Sequence, residues 1–437
     1  MAEVHPFWGV HYNQLLAKDL AGVICPPYDV ISPQLQQELY HRNEYNFVRL
    51  EHNRELPQDT ATDNKYTRSA ATLEQWLKQG ILVVDQVPAI YLHDHYFNHK
   101  GKECRRRGII ACVRLEGWDE MVVRPHEGTL VEHTNDRLSL LWVCQANTSP
   151  ILALFEDQGR QVSSLLAAQE PSQPVFSSRD TYGERHNVRA ITEPEVIDQI
   201  GASLAHQPLY VADGHHRYES ALTYQRERRA SSSSASADEA FNVVMMELVD
   251  FSDPGLIILP AHRLVRGMSR AALSELTTKL NSFFEIEELP LNKTDVWQQI
   301  DHLLAAGETN GARLVLLGLA EGRLLLLRLR DSTTVDQMMP YFHSELYKKL
   351  EVDVVDNVIL GKLGGRGGGE ELTLSYSHDG EDVVNKVLDQ EYQLAFLLSP
   401  VKVEVVKAIA DAGDRMSRKA TYFYPKVPAG LVLHRLV

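Results

Sequence analysis

Cysteine is scarce in this 437-residue chain, and the four present, Cys25, Cys104, Cys112 and Cys144, show no close metal-type pairing. Reduced, mostly structural thiols are expected. No apolar run approaches the roughly 20 residues that span a bilayer, so no membrane role is expected. The opening MAEVHPFWGVHYN lacks the basic start and apolar stretch of a signal peptide, which predicts a cytoplasmic protein. Positive charge is also short: 44 Lys and Arg stand against 59 Asp and Glu, a formal charge of −15. A broad basic face for nucleic acid is therefore not expected, while a local basic pocket for a small phosphate ligand remains compatible. No repeat of fixed period is evident.

What remains is ordinary globular composition, 44% hydrophobic and 24% charged. The length predicts two domains, or one large domain with insertions. Ser32 before Pro33 predicts a capped helix through Leu35, Leu39 and Tyr40. Asn46 to Leu50 reads as a short strand. Ala89–Phe97 and Arg107–Leu115 read as a hairpin, Asn135–Ala146 as a helix and Ile151–Phe155 as a buried strand. Ser231–Ala237 reads as a mobile loop. Beyond about Ser269 the pattern becomes helix, strand, helix, hairpin, with Arg313–Leu319 and Arg323–Leu329 flanking Glu321-Gly322. This mixed order with hairpins speaks against a doubly wound parallel fold.

The stretch Leu209 to Ala221, LYVADGHHRYESA, concentrates the chemistry. An apolar run predicts a buried strand, Gly214 a turn, and Tyr218, Ala221 and Leu222 the apolar side of a helix. A strand feeding a Gly turn into a helix start is an anion site, through backbone N–H groups and the positive helix end. Here the turn adds Asp213, His215, His216 and Arg217. Arg grips phosphate bidentately, His donates or accepts near neutral pH, and Asp213 suits a divalent cation that bridges phosphates. A nucleotide is the leading ligand.

Other candidates are less specific. Arg124-Pro125-His126-Glu127 lies at a predicted strand end, where Glu127 suits a general base and His126 its orientation or a phosphate contact. His133 and Arg137, spaced i, i+4 around Asp136, share a helix face that either extends the anion pocket or is solvated. His93-Asp94-His95 lies on a predicted strand with both imidazoles on one face. No carboxylate in that segment completes a metal set, so paired surface histidines are favoured. Leu363 to Gly369 is Gly-rich but lacks a P-loop ending and precedes a strand, so a flexible connection is favoured. Arg418 to Pro425 combines cations and aromatic residues, as either a terminal strand or a tail covering the site.

Pro125-His126-Glu127, Val211 to Arg217, and Lys419-Ala420-Thr421 before an aromatic-Pro segment resemble, in that order, the free L-serine kinases of the ParB/sulfiredoxin-like fold. Over nearly its full length, through Pro26-Pro27-Tyr28-Asp29-Val30-Ile31-Ser32 and Ala212 to Tyr218, the chain resembles a long family of functionally uncharacterised bacterial and archaeal proteins. The kinase resemblance implies a ParB/sulfiredoxin-like nucleotide-binding core; with the second mixed α/β unit read from the pattern beyond Ser269, the expected fold class is α+β. The expected division is 1–265 for the N-terminal region and core, 266–412 for the second unit, and 413–437 for a tail returning to the active-site cleft. It implies Glu127 as base, with Asp213 and His216 also catalytic and Asp213 holding the metal. Gly214, His215, His216, Arg217, His126, Arg137, Lys419 and Thr421 are the expected nucleotide contacts.

The resulting expectation is a kinase that uses ATP or ADP with Mg²⁺ to phosphorylate the hydroxyl of a small metabolite such as free L-serine. Its alternative is a non-catalytic ParB-like nucleotide-binding regulator, which needs the phosphate turn but not Glu127. A metal-dependent hydrolase on His93, His95 and His126 is the distant third. The sequence departs from the compact kinases in its long N-terminal region and in the long segment between Glu127 and Asp213.

Overall fold

In a computed structural model, the described residues are 2–437 apart from 18, 171, 181–182, 232–235, 237–238, 293–294, 306–311, 331–338, 340–342 and 364–372. Most of the Ser231–Ala237 segment and the whole Gly364–Gly369 run thus lie outside the described residues. The chain divides into two compact units of mixed α/β structure. The first comprises Met1–Pro125, Thr129–Ile257 and Pro425–Val437; the second comprises His126–Gly128 and Ile258–Tyr424.

The first unit is built on a mixed nine-stranded sheet. Eight strands follow one another in the order Val123–Pro125, Leu209–Asp213, Ile151–Phe155, Val243–Asp250, Lys102–Arg114, Ile90–His99, Arg185–Ile191 and Phe176–Arg179. Val4–His5 is the ninth and pairs with Lys102–Arg114. Leu209–Asp213 runs parallel to Val123–Pro125 and antiparallel to Ile151–Phe155. One sheet face carries Leu92, Ile109, Ala111, Val211 and Met246 into a core shared with Tyr218, Ala221 and Tyr224 of the helix His215–Ser231. Burying such side chains contributes about 1.5–3 kcal/mol each, which fixes this helix against the sheet and with it the turn that precedes it. A small antiparallel sheet joins Leu82–Val84, Gly9–Tyr12, Leu433–Arg435 and Ala146–Asn147, so the chain's last residues belong to this unit.

The second unit contains an antiparallel six-stranded sheet. Its order is Phe284–Pro290, Arg323–Leu329, Arg313–Leu317, Leu394–Leu397, His262–Arg266 and Thr373–Ser377. Its own core gathers Leu264, Val315, Leu326, Val383 and Leu397.

Two local expectations are corrected. Asn46 to Leu50 is not a strand: Val48–Glu51 is a short helix. The Asn46 side chain accepts from Val48 N at 3.0 Å and donates to Gly22 O at 2.7 Å, and this Asx-type bonding competes with extended structure. His93 and His95 are not surface residues: both are fully buried. Burial, reinforced by neighbouring histidines and Arg106, holds the His95 and His186 rings well below the ordinary imidazole range. The Ser32 cap forms as expected, accepting from Leu35 N at 3.1 Å ahead of the helix Pro33–Arg42.

Candidate functional site

Leu209–Asp213 is buried through Ala212, and the chain then turns at Gly214, whose φ is +97°. Only glycine adopts that backbone without strain. A Cβ there would also lie 2.8 Å from Arg217 Nη2. His215 starts the helix, so the positive end of its dipole lies at the turn.

Asp213 is the electrostatic centre of the turn. One carboxylate oxygen accepts from Arg217 Nη2 at 2.8 Å, and the other is paired with Lys426 Nζ. Burial alone would push this carboxyl up, but Lys426 and Arg217 outweigh it and hold Asp213 well below the usual carboxylate range. One carboxylate against two cations leaves a formal charge of about +1 beside the helix start, before any ligand arrives.

Arg217 is anchored inside the unit. Its Nη1 donates to Ser149 Oγ at 3.0 Å and to Pro150 O at 2.5 Å. Ser149 Oγ also donates to Glu51 at 3.0 Å; Thr148 Oγ1 donates to the other Glu51 oxygen at 2.5 Å. Arg137, which is buried, lies 3.7 Å from Glu51, donates to the Glu51 carbonyl at 2.9 Å and to Asp136, and packs 3.9 Å from the Tyr28 ring centre. A continuous polar chain, Arg137–Glu51–Ser149–Arg217–Asp213, therefore supports the turn from below. The cavity beside it, lined by Glu51, Arg137, Thr148, Ser149, Arg217 and Ser220 among others, is about 40 Å³. That is room for a few waters at most, far too little for a nucleotide.

His215 is buried, while His216 accepts from Leu130 N at 2.9 Å through Nε2 and packs 5.2 Å from the His133 ring. That bond leaves the proton of neutral His216 on Nδ1. In the second unit, His126 is buried and its Nε2 bonds Thr421 Oγ1 at 3.0 Å. Glu127 forms an isolated parallel bridge with Met416, whose N–H donates to His126 O at 2.8 Å. Lys419 has a positive φ, +56°, and its carbonyl accepts from the fully buried Arg263 at 3.2 Å. His126, Glu127, Lys419 and Thr421 thus share one neighbourhood within their unit, held by the strand-like pairing of 126–127 with 416.

Lys426 was not singled out by sequence reasoning. It lies 213 positions from Asp213, and a single Lys after Tyr424-Pro425 carries no local signal. Glu51, Thr148 and Ser149 were missed for the same reason: each is unremarkable in sequence and meaningful only through its partners.

No helix among the described residues is long and apolar enough to cross a membrane. No curated protein matches the chain. Among solved structures, it is similar to a conserved hypothetical protein from Pyrococcus furiosus, at 13% identity and a TM-score of 0.36, covering 75% of this chain and 95% of that one. A free serine kinase in complex with AMP matches at 12% identity and a TM-score of 0.36, covering 74% and 92%. SbnI with a C-terminal truncation, from Staphylococcus aureus, matches at 9% identity and a TM-score of 0.34, covering 74% and 85%. A family model described as "Protein of unknown function (DUF1015)" matches residues 4–353, and the chain belongs to that family.

Proposed function

We propose that the first unit holds a ParB/sulfiredoxin-like nucleotide-binding core, and that the protein transfers a phosphoryl group from ATP or ADP to the hydroxyl of a small metabolite such as free L-serine. The observation that carries this reading is the turn at Gly214, which joins a helix start to Asp213 and its two cations. A polyphosphate gains from the dipole and from the positive excess, and phosphoryl transfer needs mostly positioning and charge neutralisation.

In this reading Asp213 would hold Mg²⁺, which would supply charge neutralisation for the nucleotide's phosphates. Lys426, paired with Asp213, would contact a phosphate oxygen. Gly214, His215 and His216 contact phosphate around the helix start, and His216 acts catalytically as a donor from Nδ1. Arg217 holds Asp213 in place as well as adding charge. Arg137 acts on the turn through Glu51 and Ser149. Within the second unit, Glu127 is read as the base for the acceptor hydroxyl, and His126, Lys419 and Thr421 as nucleotide contacts.

Glu127→Gln tests the chemistry. It keeps size and hydrogen bonding but removes the base. Nucleotide affinity is expected to persist, while turnover falls by about 10²-fold or more. The measurement pairs calorimetry with phosphotransfer to serine and related hydroxy metabolites. Wild-type protein that binds nucleotide yet phosphorylates nothing would instead support the nucleotide-binding regulator. Absence of any nucleotide binding would remove both readings.

A further inference from the structure

The fully buried histidines of the large sheet form a cluster remote in sequence from the Asp213 turn. His93 and His95 alternate onto one face of Ile90–His99, and His186 is the direct cross-strand partner of His95. Arg106 is the partner of His95 on the other side, so its side chain joins the same face. Glu247 reaches His93 across the intervening strand because Gly108 stands between them; a Cβ at Gly108 would lie 3.1 Å from Glu247 Cγ. Glu184, just before the strand Arg185–Ile191, completes the group.

The hydrogen bonds fix the proton positions. An ionised Glu247 carboxylate can only accept, so His93 Nδ1 donates to it at 3.0 Å. Neutral His93 then has its lone pair on Nε2, which accepts from His186 Nδ1 at 3.2 Å. His186 Nε2 is left as a lone pair, completely buried and with no hydrogen-bond partner among the described residues. An orphaned buried acceptor of this kind is destabilising unless something fills it. Its neighbours already make a ligand set: His95, Glu184 and His186 each offer one donor atom, and these lie within 4.8 Å of one another. His95 Nε2 and Glu184 Oε2 are only 2.7 Å apart.

We propose that His95, His186 and Glu184 bind a divalent transition-metal ion of the zinc class, with Glu247 and His93 orienting His186 from behind. Two imidazoles and one carboxylate suit a borderline cation, and they leave a coordination position for water. A tetrahedral ion with bonds of about 2.1 Å needs donors about 3.4 Å apart, so His95 Nε2 and Glu184 Oε2 open from 2.7 Å, while all three donors already lie within 4.8 Å of one another. The carboxylate–histidine–histidine relay is the supporting shell that such sites use to fix a ligand's tautomer. Two carboxylates against one guanidinium favour an added cation. The ion takes the space now bridged by the His95 Nε2 proton. That proton moves to Nδ1, and Arg106 Nη2 withdraws from its 3.3 Å contact there. Glu184, with a side chain 17% exposed, marks the route of entry. None of these residues belongs to the phosphate turn, so the site stands whether or not the protein is a kinase.

The test uses the full chain, stripped with a chelator, loaded with Zn²⁺ or Co²⁺ and passed through gel filtration. Mass spectrometry should find about one Zn²⁺ per chain. The Co²⁺ form should show visible d–d absorption that Zn²⁺ abolishes. His186→Ala should lose retained metal, and Glu247→Gln should weaken affinity about 10–100-fold with unchanged circular dichroism. Exposed His206→Ala should retain the metal. Wild-type protein that keeps no Zn²⁺ and gives no Co²⁺ spectrum overturns the proposal without reference to any variant. So does a folded His186→Ala that binds as wild type does.

Discussion

Arg217 donates to Ser149, Pro150 and Asp213, and all three bonds are made inside the first unit. Removing it leaves Asp213 with half its compensation and strips donors from the Pro150 carbonyl. Arg217→Ala should therefore lower unfolding free energy by roughly 3–5 kcal/mol, the usual penalty for breaking a buried pair from one side. Urea denaturation measures this; a loss below about 1 kcal/mol would mean the bonds are dispensable. Lys426 is the better probe of ligand binding, since it makes its pair with Asp213 from the chain's final segment. Lys426→Met should reduce nucleotide affinity about tenfold or more, the worth of one charge-assisted contact, with a smaller stability loss than Arg217→Ala. Calorimetry on a folded Lys426→Met that binds nucleotide as tightly as wild type would take Lys426 out of the proposed site.

At the scale of elements, the strand–turn–helix around Gly214 was legible because everything it needs is local. The apolar run Leu209–Ala212, one glycine and the spacing of Tyr218, Ala221 and Leu222 lie within fourteen residues, and the element formed as read. Gly214→Ala tests how much the turn depends on its left-handed backbone. With φ at +97° and a Cβ 2.8 Å from Arg217 Nη2, the cost should be about 1–2 kcal/mol, seen as a lower urea midpoint with unchanged m-value. An unshifted midpoint would show that the turn relaxes freely. The histidine cluster was only half legible. Alternation placed His93 and His95 on one face, but their surroundings come from residues 184–186 and 247, which meet them only through sheet register. Asn46 misled for the opposite reason: its side-chain bonds, invisible in a propensity pattern, turned a short apolar run helical.

For the whole molecule, the relevant fact is that each unit has a core of its own. Calorimetry should accordingly resolve more than one transition, because a single cooperative event is the habit of single domains. The pH response, compared between wild type and Glu351→Gln, identifies the second unit's transition. Burial pushes the Glu351 carboxyl up to about 7, against 4.5 in its ordinary state, despite bonds from Ser399 N and Arg313 N. Its folded-state value is raised, so the folded unit holds a proton that the unfolded chain gives up. The stabilisation is full below about pH 4.5 and is lost as pH rises through about 7, on the order of 3 kcal/mol in total. Asp353, raised by burial to about 6, adds with the same sign. Between pH 5 and pH 8 the second unit's transition should therefore fall in temperature, and Glu351→Gln should flatten that fall while keeping an acceptor for Ser399 N. Metal loading at the histidine cluster should move the other transition instead, because all its ligands lie in the first unit. A single transition that responds equally to pH and to Zn²⁺ would show that the two cores unfold as one.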